Sequence, residues 1–306
     1  MNAPFNDVQH LTVDLLRAWP LPAHAADDDK EARGHVLVIG GSREMPGAVI
    51  LAAIAALRAG AGKLTIATGA SVAQLVASAI HESRVIGLPE TACGGIAAGG
   101  AELLDDLAGR ADAVLIGPGM QDEQAACSFT HALLKKFVDT TIVLDACAMA
   151  VVRGSQAYQE DAENVSDTRL ILTPHAGEMA HLLGDAKETI LDNACTAARD
   201  AARNWNAVVA LKGGTTFIAS PNGDTWRHDG GNVGLATSGS GDVLAGIIAG
   251  LAARGATVTQ AVAWGVALHA RAGDNLAKRI GPIGYLAREI TDEIPGLLDK
   301  FAKAAT

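Results

Sequence analysis

Short apolar runs that stop on a glycine or a polar residue recur along this chain, and they restrict its fold more than any other feature. His35-Val-Leu-Val-Ile-Gly40, Lys63 to Ala67, Ser83 to Leu88, Asp112 to Ile116, Thr141 to Leu144, Arg169 to Thr173 and Ala207 to Leu211 each read as a buried strand. Helical patterns lie between them, starting with a small-residue helix from Gly47 through Arg58. Strands apolar on both faces need cover on both sides, so the alternation predicts a mostly parallel sheet between two helical layers, a three-layer α/β/α class. The rhythm changes after Leu211. Thr216 to Ser220 and Asp224 to His228 flank Pro221-Asn-Gly223, a hairpin signal, so a short antiparallel edge is expected. From Val243 onward the pattern is helical over 243–253, 258–278 and from 285 to the end. No repeat or interdomain linker appears. The expectation is one domain over 31–303 behind an N-terminal extension of residues 1–30, with ordered structure starting after the charged link Asp27 to Arg33.

The strand ends carry the chemistry. Gly117 and Gly119, Asp145, His175 and Lys212 each follow the carboxyl end of a strand, the edge where open α/β sheets bind ligands. A fifth element, Asn232-Val-Gly-Leu-Ala-Thr-Ser-Gly-Ser-Gly-Asp242, has only Val233 and Leu235 as large side chains and runs straight into a helix. Small residues there leave backbone N–H groups unhindered where the helix dipole favours negative charge, which suits a phosphate. Asp242 beside such a site would repel an anion, but it makes sense as a base acting on a hydroxyl next to a phosphoryl group. The plain alternative is an ordinary helix cap worth about 1 kcal/mol.

The other candidates carry paired readings too. Lys212-Gly213-Gly214-Thr215-Thr216 offers a cation, flexible backbone and two hydroxyls to a nucleotide, or else is a tight turn with a solvated lysine. His175 is a capping residue or a ligand donor; Glu178 is a first-turn acid or a partner for Mg²⁺-bound water. Gly41 to Gly47 lacks the Gly-Lys-Ser/Thr ending of a P-loop and is not GxGxxG, which argues against a Rossmann dehydrogenase. It is either a turn that lets the next helix pack or a ligand contact. His81, His131 and His269 show no metal-ligand spacing and read as structural.

Bulk properties narrow the partners. A net charge of −10 and 4% aromatic residues argue against nucleic acid, anionic membrane and carbohydrate platforms. Four cysteines without CxxC spacing suit reduced thiols, the amino terminus does not read as a secretory signal, and Arg58 and Arg254 cut the longest apolar runs. A cytoplasmic protein is expected.

Taken in order, Gly40 to Ala48, Ala55-Ala-Leu-Arg-Ala-Gly-Ala-Gly62, Gly117-Pro-Gly119, Leu172-Thr-Pro-His-Ala-Gly-Glu-Met179, Leu211-Lys-Gly213 and Gly231 to Gly246 resemble the ADP-dependent NAD(P)H-hydrate dehydratases of the ribokinase-like superfamily. The resemblance covers roughly residues 30 to 300. It implies a three-layer domain, often a homotetramer, that repairs the S epimer of hydrated NADH or NADPH with ADP, a lyase reaction releasing AMP and phosphate. Many relatives carry a fused epimerase; only about 30 residues precede the first strand here, so the resemblance implies a separate epimerase as functional partner.

By position, Asp242 would be the catalytic base and touch the hydrated nicotinamide, with Ala48, Gly119 and the segment His175 to His181, His175 and Glu178 in particular, lining the dinucleotide site. Lys212, Gly213, Gly214, Thr215, Thr216, Asn232, Thr237, Gly239, Ser240 and Gly241 would hold ADP. Mg²⁺ is implied as cofactor without a direct protein ligand, Glu178 reaching it through water. One departure stands out: Asp145-Ala-Cys147-Ala-Met149 replaces the usual Asp-Ala-Asp-Ala-Leu, and Cys147 cannot replace an acid as a ligand. An ATP-dependent small-molecule kinase of the same superfamily and a noncatalytic nucleotide-binding module remain the alternatives.

Overall fold

Residues 8–23, 29–153 and 169–303 are described by a computed structural model. In chain order the elements are β1 (Gln9–His10), α1 (Val13–Ala18), β2 (His35–Ile39), α2 (Pro46–Arg58), β3 (Lys63–Gly69), α3 (Ala73–Ala79), β4 (Ser83–Leu88), β5 (Ala113–Ile116), α4 (Glu123–Leu134), β6 (Thr141–Leu144) and β7 (Leu170–Leu172). Then follow α5 (Ala176–Leu183), α6 (Lys187–Asp192), α7 (Ala194–Asn204), β8 (Val208–Leu211), β9 (Thr216–Ala219), β10 (Thr225–His228), α8 (Ser240–Ala253), α9 (Val258–Arg279) and α10 (Ala287–Ala302).

All ten strands form one sheet in the order β1-β10-β9-β8-β7-β6-β5-β2-β3-β4. Every neighbouring pair is parallel except β9 with β8 and with β10. Alternation along β2 shows why the interior strands must be sandwiched. Val36 and Val38 pack with α2, α8, α9 and α10 on one face, while Leu37 and Ile39 pack with α4, α5 and α7 on the other. Period-two side chains that are all apolar leave neither face for solvent.

The predicted hairpin forms, but its outer strand is not the sheet edge. The two-residue strand β1 pairs in parallel with β10, so ordered structure begins well before the charged link, of which Asp27 and Asp28 lie outside the described residues. Trp19 stacks on Trp226 with ring centroids 6.0 Å apart. Its carbonyl accepts from Gln260 Nε2 (3.2 Å) and Trp264 Nε1 (3.0 Å), fastening this segment to α9. The signal was present in the sequence: Thr12 caps α1, and Leu16 is its buried apolar residue.

Helices α2 and α8 press together without side chains between them. A Cβ on Gly246 would lie 2.1 Å from the Ala52 carbonyl oxygen, and one on Gly250 would lie 2.4 Å from that of Ala56. This approach fixes the start of α8 against the start of α2. Gly246→Val is expected to cost on the order of 3 kcal/mol, because backbone cannot yield as a flexible side chain can. Chemical denaturation reads it out; a loss below about 1 kcal/mol would show that the two helices part readily.

Candidate active site

Helix α8 starts at Ser240, three residues before the apolar pattern shows it, so Ser240-Gly-Asp242 forms its first turn. Gly239 precedes it with φ 88°, a left-handed turn natural to glycine, and no side chain caps the helix. A Cβ on Gly239 would meet Leu51 Cδ1 at 2.5 Å. The Ser240 N–H donates to the Thr237 carbonyl (3.2 Å), and the first helical bond runs from Val243 N–H to Gly239 (3.0 Å). The amides of Gly241 and Asp242 are therefore the donors open to a ligand. The turn that builds the site consumes the Ser240 amide.

Four charged groups converge on this turn. Lys212, between β8 and β9, places Nζ 3.4 Å from Asp145 Oδ1 and 3.8 Å from Glu178 Oε2. The same ammonium would lie 3.4 Å from a Cβ on Gly241, so the absent side chain lets it close on the helix start. Asp145 sits at the end of β6, its side chain 5% exposed, and accepts a 2.7 Å hydrogen bond from Thr173 Oγ1. Burial draws the Lys212 pKa down, but the charges of Asp145, Glu178 and Asp242 outweigh it and hold the amine above its ordinary value. Burial, reinforced by Asp145 and Glu178 against the pull of Lys212, lifts Asp242 to about 7. A carboxylate poised there exchanges protons near neutrality, as a general base should.

His175 caps α5: its Nδ1 accepts from the amides of Gly177 (3.0 Å) and Glu178 (3.1 Å), and Glu178 Oε2 accepts the His175 N–H at 2.8 Å. Both readings of His175 meet here, because capping fixes Nδ1 and leaves the exposed Nε2 edge toward solvent 3.6 Å from Glu178. Main-chain pairing of Pro174 with Lys212 (2.8 Å) ties this corner to the lysine.

The loop Gly117-Pro-Gly119 abuts the Gly40 turn, whose Gly41 N–H donates to the Pro118 carbonyl at 2.7 Å. A Cβ on Gly119 would lie 2.7 Å from that of Ala48, so the structure brings these two predicted contacts together. Ala48 stands one turn before Leu51 on α2, and Leu51 abuts Gly239, which joins this wall to the α8 turn.

Among the nucleotide candidates, Gly213 and Gly214 are exposed in the turn after Lys212, while Thr215 Oγ1 donates to Asp229 (2.8 Å) and Thr216 opens β9. Asn232 Oδ1 accepts from Tyr285 Oη (2.9 Å) and from the Gly234 amide (3.0 Å), and its Nδ2 donates to Asp274 (3.3 Å). Asn232 thus braces the loop and retains one amide hydrogen.

Two contributors escaped the sequence. Thr173 orients Asp145 from a strand end that reads as ordinary β-sheet. His269, read as structural, lies fully inside α9 with Nε2 3.0 Å from both the Ser240 carbonyl and its Oγ. Burial lowers its pKa to about 4, so it is neutral; a carbonyl only accepts, which fixes the proton on Nε2. Nothing in its spacing announces this contact across 29 residues.

Among the described residues no cluster of three His, Cys, Asp or Glu side chains suits a metal ion. Asp145 and Glu178 face the site beside Lys212, a donor set that fits an ion carried by phosphates and reached through its water, not a protein cage. Burial, then the charges of Glu123 and Glu178, push the Cys147 thiol up, so it stays protonated and does not replace an acid.

A mostly parallel sheet between helical layers, with a small-residue helix start and an aspartate at its carboxyl edge, defines a ribokinase-like protein. Within that class the chain belongs to the NAD(P)H-hydrate dehydratase family, whose sequence model matches residues 36–296. It is 48% identical over 299 residues to the ADP-dependent (S)-NAD(P)H-hydrate dehydratase of Xanthomonas campestris pv. campestris, covering 97% of this chain and 98% of that one. It is 38% identical to a bifunctional NAD(P)H-hydrate repair enzyme of Moorella thermoacetica, spanning 95% of this chain and 54% of that longer protein. The ADP/ATP-dependent NAD(P)H-hydrate dehydratase of Bacillus subtilis, co-crystallised with ATP and Mg²⁺, superposes with a TM-score of 0.79 at 29% identity, covering 96% of this chain and 99% of that one.

Proposed function

We propose that this chain dehydrates (S)-NAD(P)H-hydrate with ADP as phosphoryl donor, and that Asp242 is the base. The observation that carries the reading is a carboxylate lifted to about 7 beside two open helix-start amides and a half-buried lysine. Hydroxide is a poor leaving group at neutral pH. Asp242 takes the proton of the ring hydroxyl as its oxygen attacks the β-phosphorus of ADP; the ring oxygen–phosphorus bond forms and the bond to AMP breaks. The ring nitrogen lone pair then expels phosphate, and loss of the C5 proton restores the dihydronicotinamide.

Lys212 and the amides of Gly241 and Asp242 meet the charge on the phosphoryl group in transit, and donors of this kind contribute about 3–4 kcal/mol elsewhere. Ala48, Gly119, His175 and Glu178 line the dinucleotide side, while residues 212–216 and 232–241 hold ADP. Glu178 would hold a phosphate-borne Mg²⁺ through its water, and the ion would supply neutralisation of the phosphate charge. The domain spans 31–303 with the N-terminal segment packed onto it, and a homotetramer is the expected assembly.

Recovery of the 340 nm absorbance from hydrated NADH is the test, run with ADP, with ATP and with neither. Recovery with ADP together with stoichiometric AMP supports the reading. A phosphorylated product that accumulates with ATP, and no NADH, would replace it with a kinase.

A further inference from the structure

Asp145, Glu178 and Asp242 crowd the reacting end with negative charge around one lysine. A dinucleotide nonetheless brings a pyrophosphate, and its NADPH-derived form a 2′-phosphate as well. Cations for those groups must lie farther out, and the same elements supply a second charged cluster there. Glu123 begins α4, the helix that follows Gly119. Arg153 closes the 3-10 helix Ala146–Val152 that follows Asp145. His181 lies one turn beyond Glu178 on the same face of α5. That 3-10 helix, capped by Asp145 at one end and Arg153 at the other, joins the two groups.

Within the cluster, His181 Nε2 stands 2.9 Å from Glu123 Oε2 and 3.1 Å from Arg153 Nη1, while Arg153 Nη1 is 3.7 Å from Glu123 Oε1. One ring nitrogen cannot serve both neighbours. Carrying a proton, it donates to Glu123 and confronts an Arg153 N–H; bare, it accepts from Arg153 and confronts a carboxylate. The three side chains are about half exposed, so their ion pairs hold them weakly. A phosphate would satisfy what the carboxylate cannot: two parallel bonds from the guanidinium, plus one from a protonated imidazole nitrogen.

We propose that Arg153 and His181 form a phosphate-reading subsite for the dinucleotide, with Glu123 holding the guanidinium until the ligand displaces it. The proposal rests on the substrate assigned above, and its test reads binding apart from turnover. Fluorescence titration of the full chain with NADPH and with NADH, in the presence of AMP, is the measurement. Arg153→Gln is expected to weaken binding at least fivefold, Arg153→Lys to recover part of it, and both to leave ADP affinity unchanged as evidence of an intact fold. Loss for NADPH alone identifies the 2′-phosphate as the bound group; equal loss for both identifies the pyrophosphate.

Glu123→Gln should tighten binding, because it removes the competing carboxylate, an effect no purely structural role produces. Arg153→Gln and His181→Gln both within twofold of wild type for both nucleotides would overturn the subsite. Weaker binding by Glu123→Gln would overturn the displacement. Should hydrated NADH fail to turn over while NADPH binding still depends on Arg153, the dehydratase reading falls and the subsite stands. Turnover with Arg153-independent binding gives the reverse.

Discussion

Asp242→Asn is expected to cut turnover of hydrated NADH with ADP by about 10²–10⁴-fold and, in the same protein, to raise stability at pH 8. Both effects have one cause. Burial and two neighbouring carboxylates lift this group from 3.8 to about 7. Between those values the native protein keeps a proton that the unfolded chain has released. Stability of the ligand-free protein therefore falls as pH rises through the window, and the burden is complete above it. Asparagine keeps the shape and removes the charge, so the gain should be absent at pH 4 and reach roughly 1–4 kcal/mol at pH 8. Melting temperatures at the two pH values measure it. The wild-type kcat/KM should rise with pH along a limb centred near 7 that the variant lacks, a limb belonging to the coupled site as a whole. Turnover within tenfold of wild type would remove Asp242 as the base, and an equal melting shift at both pH values would remove the electrostatic account.

Lys212→Met should disable the site from the opposite direction. It leaves Asp145, Glu178 and Asp242 facing one another without their cation, and Asp145 is only 5% exposed, so solvent screens it poorly. Removing one member of a buried pair costs about 3–5 kcal/mol, and the 19% exposure of Lys212 places the expected loss toward the lower end. The lysine pKa is raised, so its contribution is complete at neutral pH and is lost only as pH climbs through that raised value. Acidification to pH 5 should narrow the deficit of the variant, because Asp242, lifted to about 7, then carries a proton and no longer repels its neighbours. With the phosphate cation gone, kcat/KM for ADP should drop about 10²-fold. A variant equally stable at pH 5 and pH 8 relative to wild type would show that the lysine does not compensate these acids.

Much of the architecture is legible from local pattern. Apolar runs as short as Thr141–Leu144 mark the interior strands because both faces of such strands are buried, and Pro221-Asn-Gly223 marks the hairpin because few residue types fit that turn. The start of α8 is harder to read, since Ser240, Gly241 and Asp242 are poor helix formers; tertiary contacts from Leu51 and His269 hold them there. Strand β1 is not legible because two residues carry no period, and its partner Trp226-Arg227 lies far along the chain.

The sequence alone determined the interior strands, the hairpin, the small-residue segment before α8 and the polar residues at the strand ends, because each follows from the chemistry of neighbouring residues. Only the tertiary structure decided that Asp145, Glu178 and Lys212 surround Asp242, that Thr237 consumes the Ser240 amide, and that His269 braces the turn. Those facts depend on distances between residues far apart in the chain. A proton affinity is set by the charges and solvent that folding places around a carboxylate, and no local pattern encodes them.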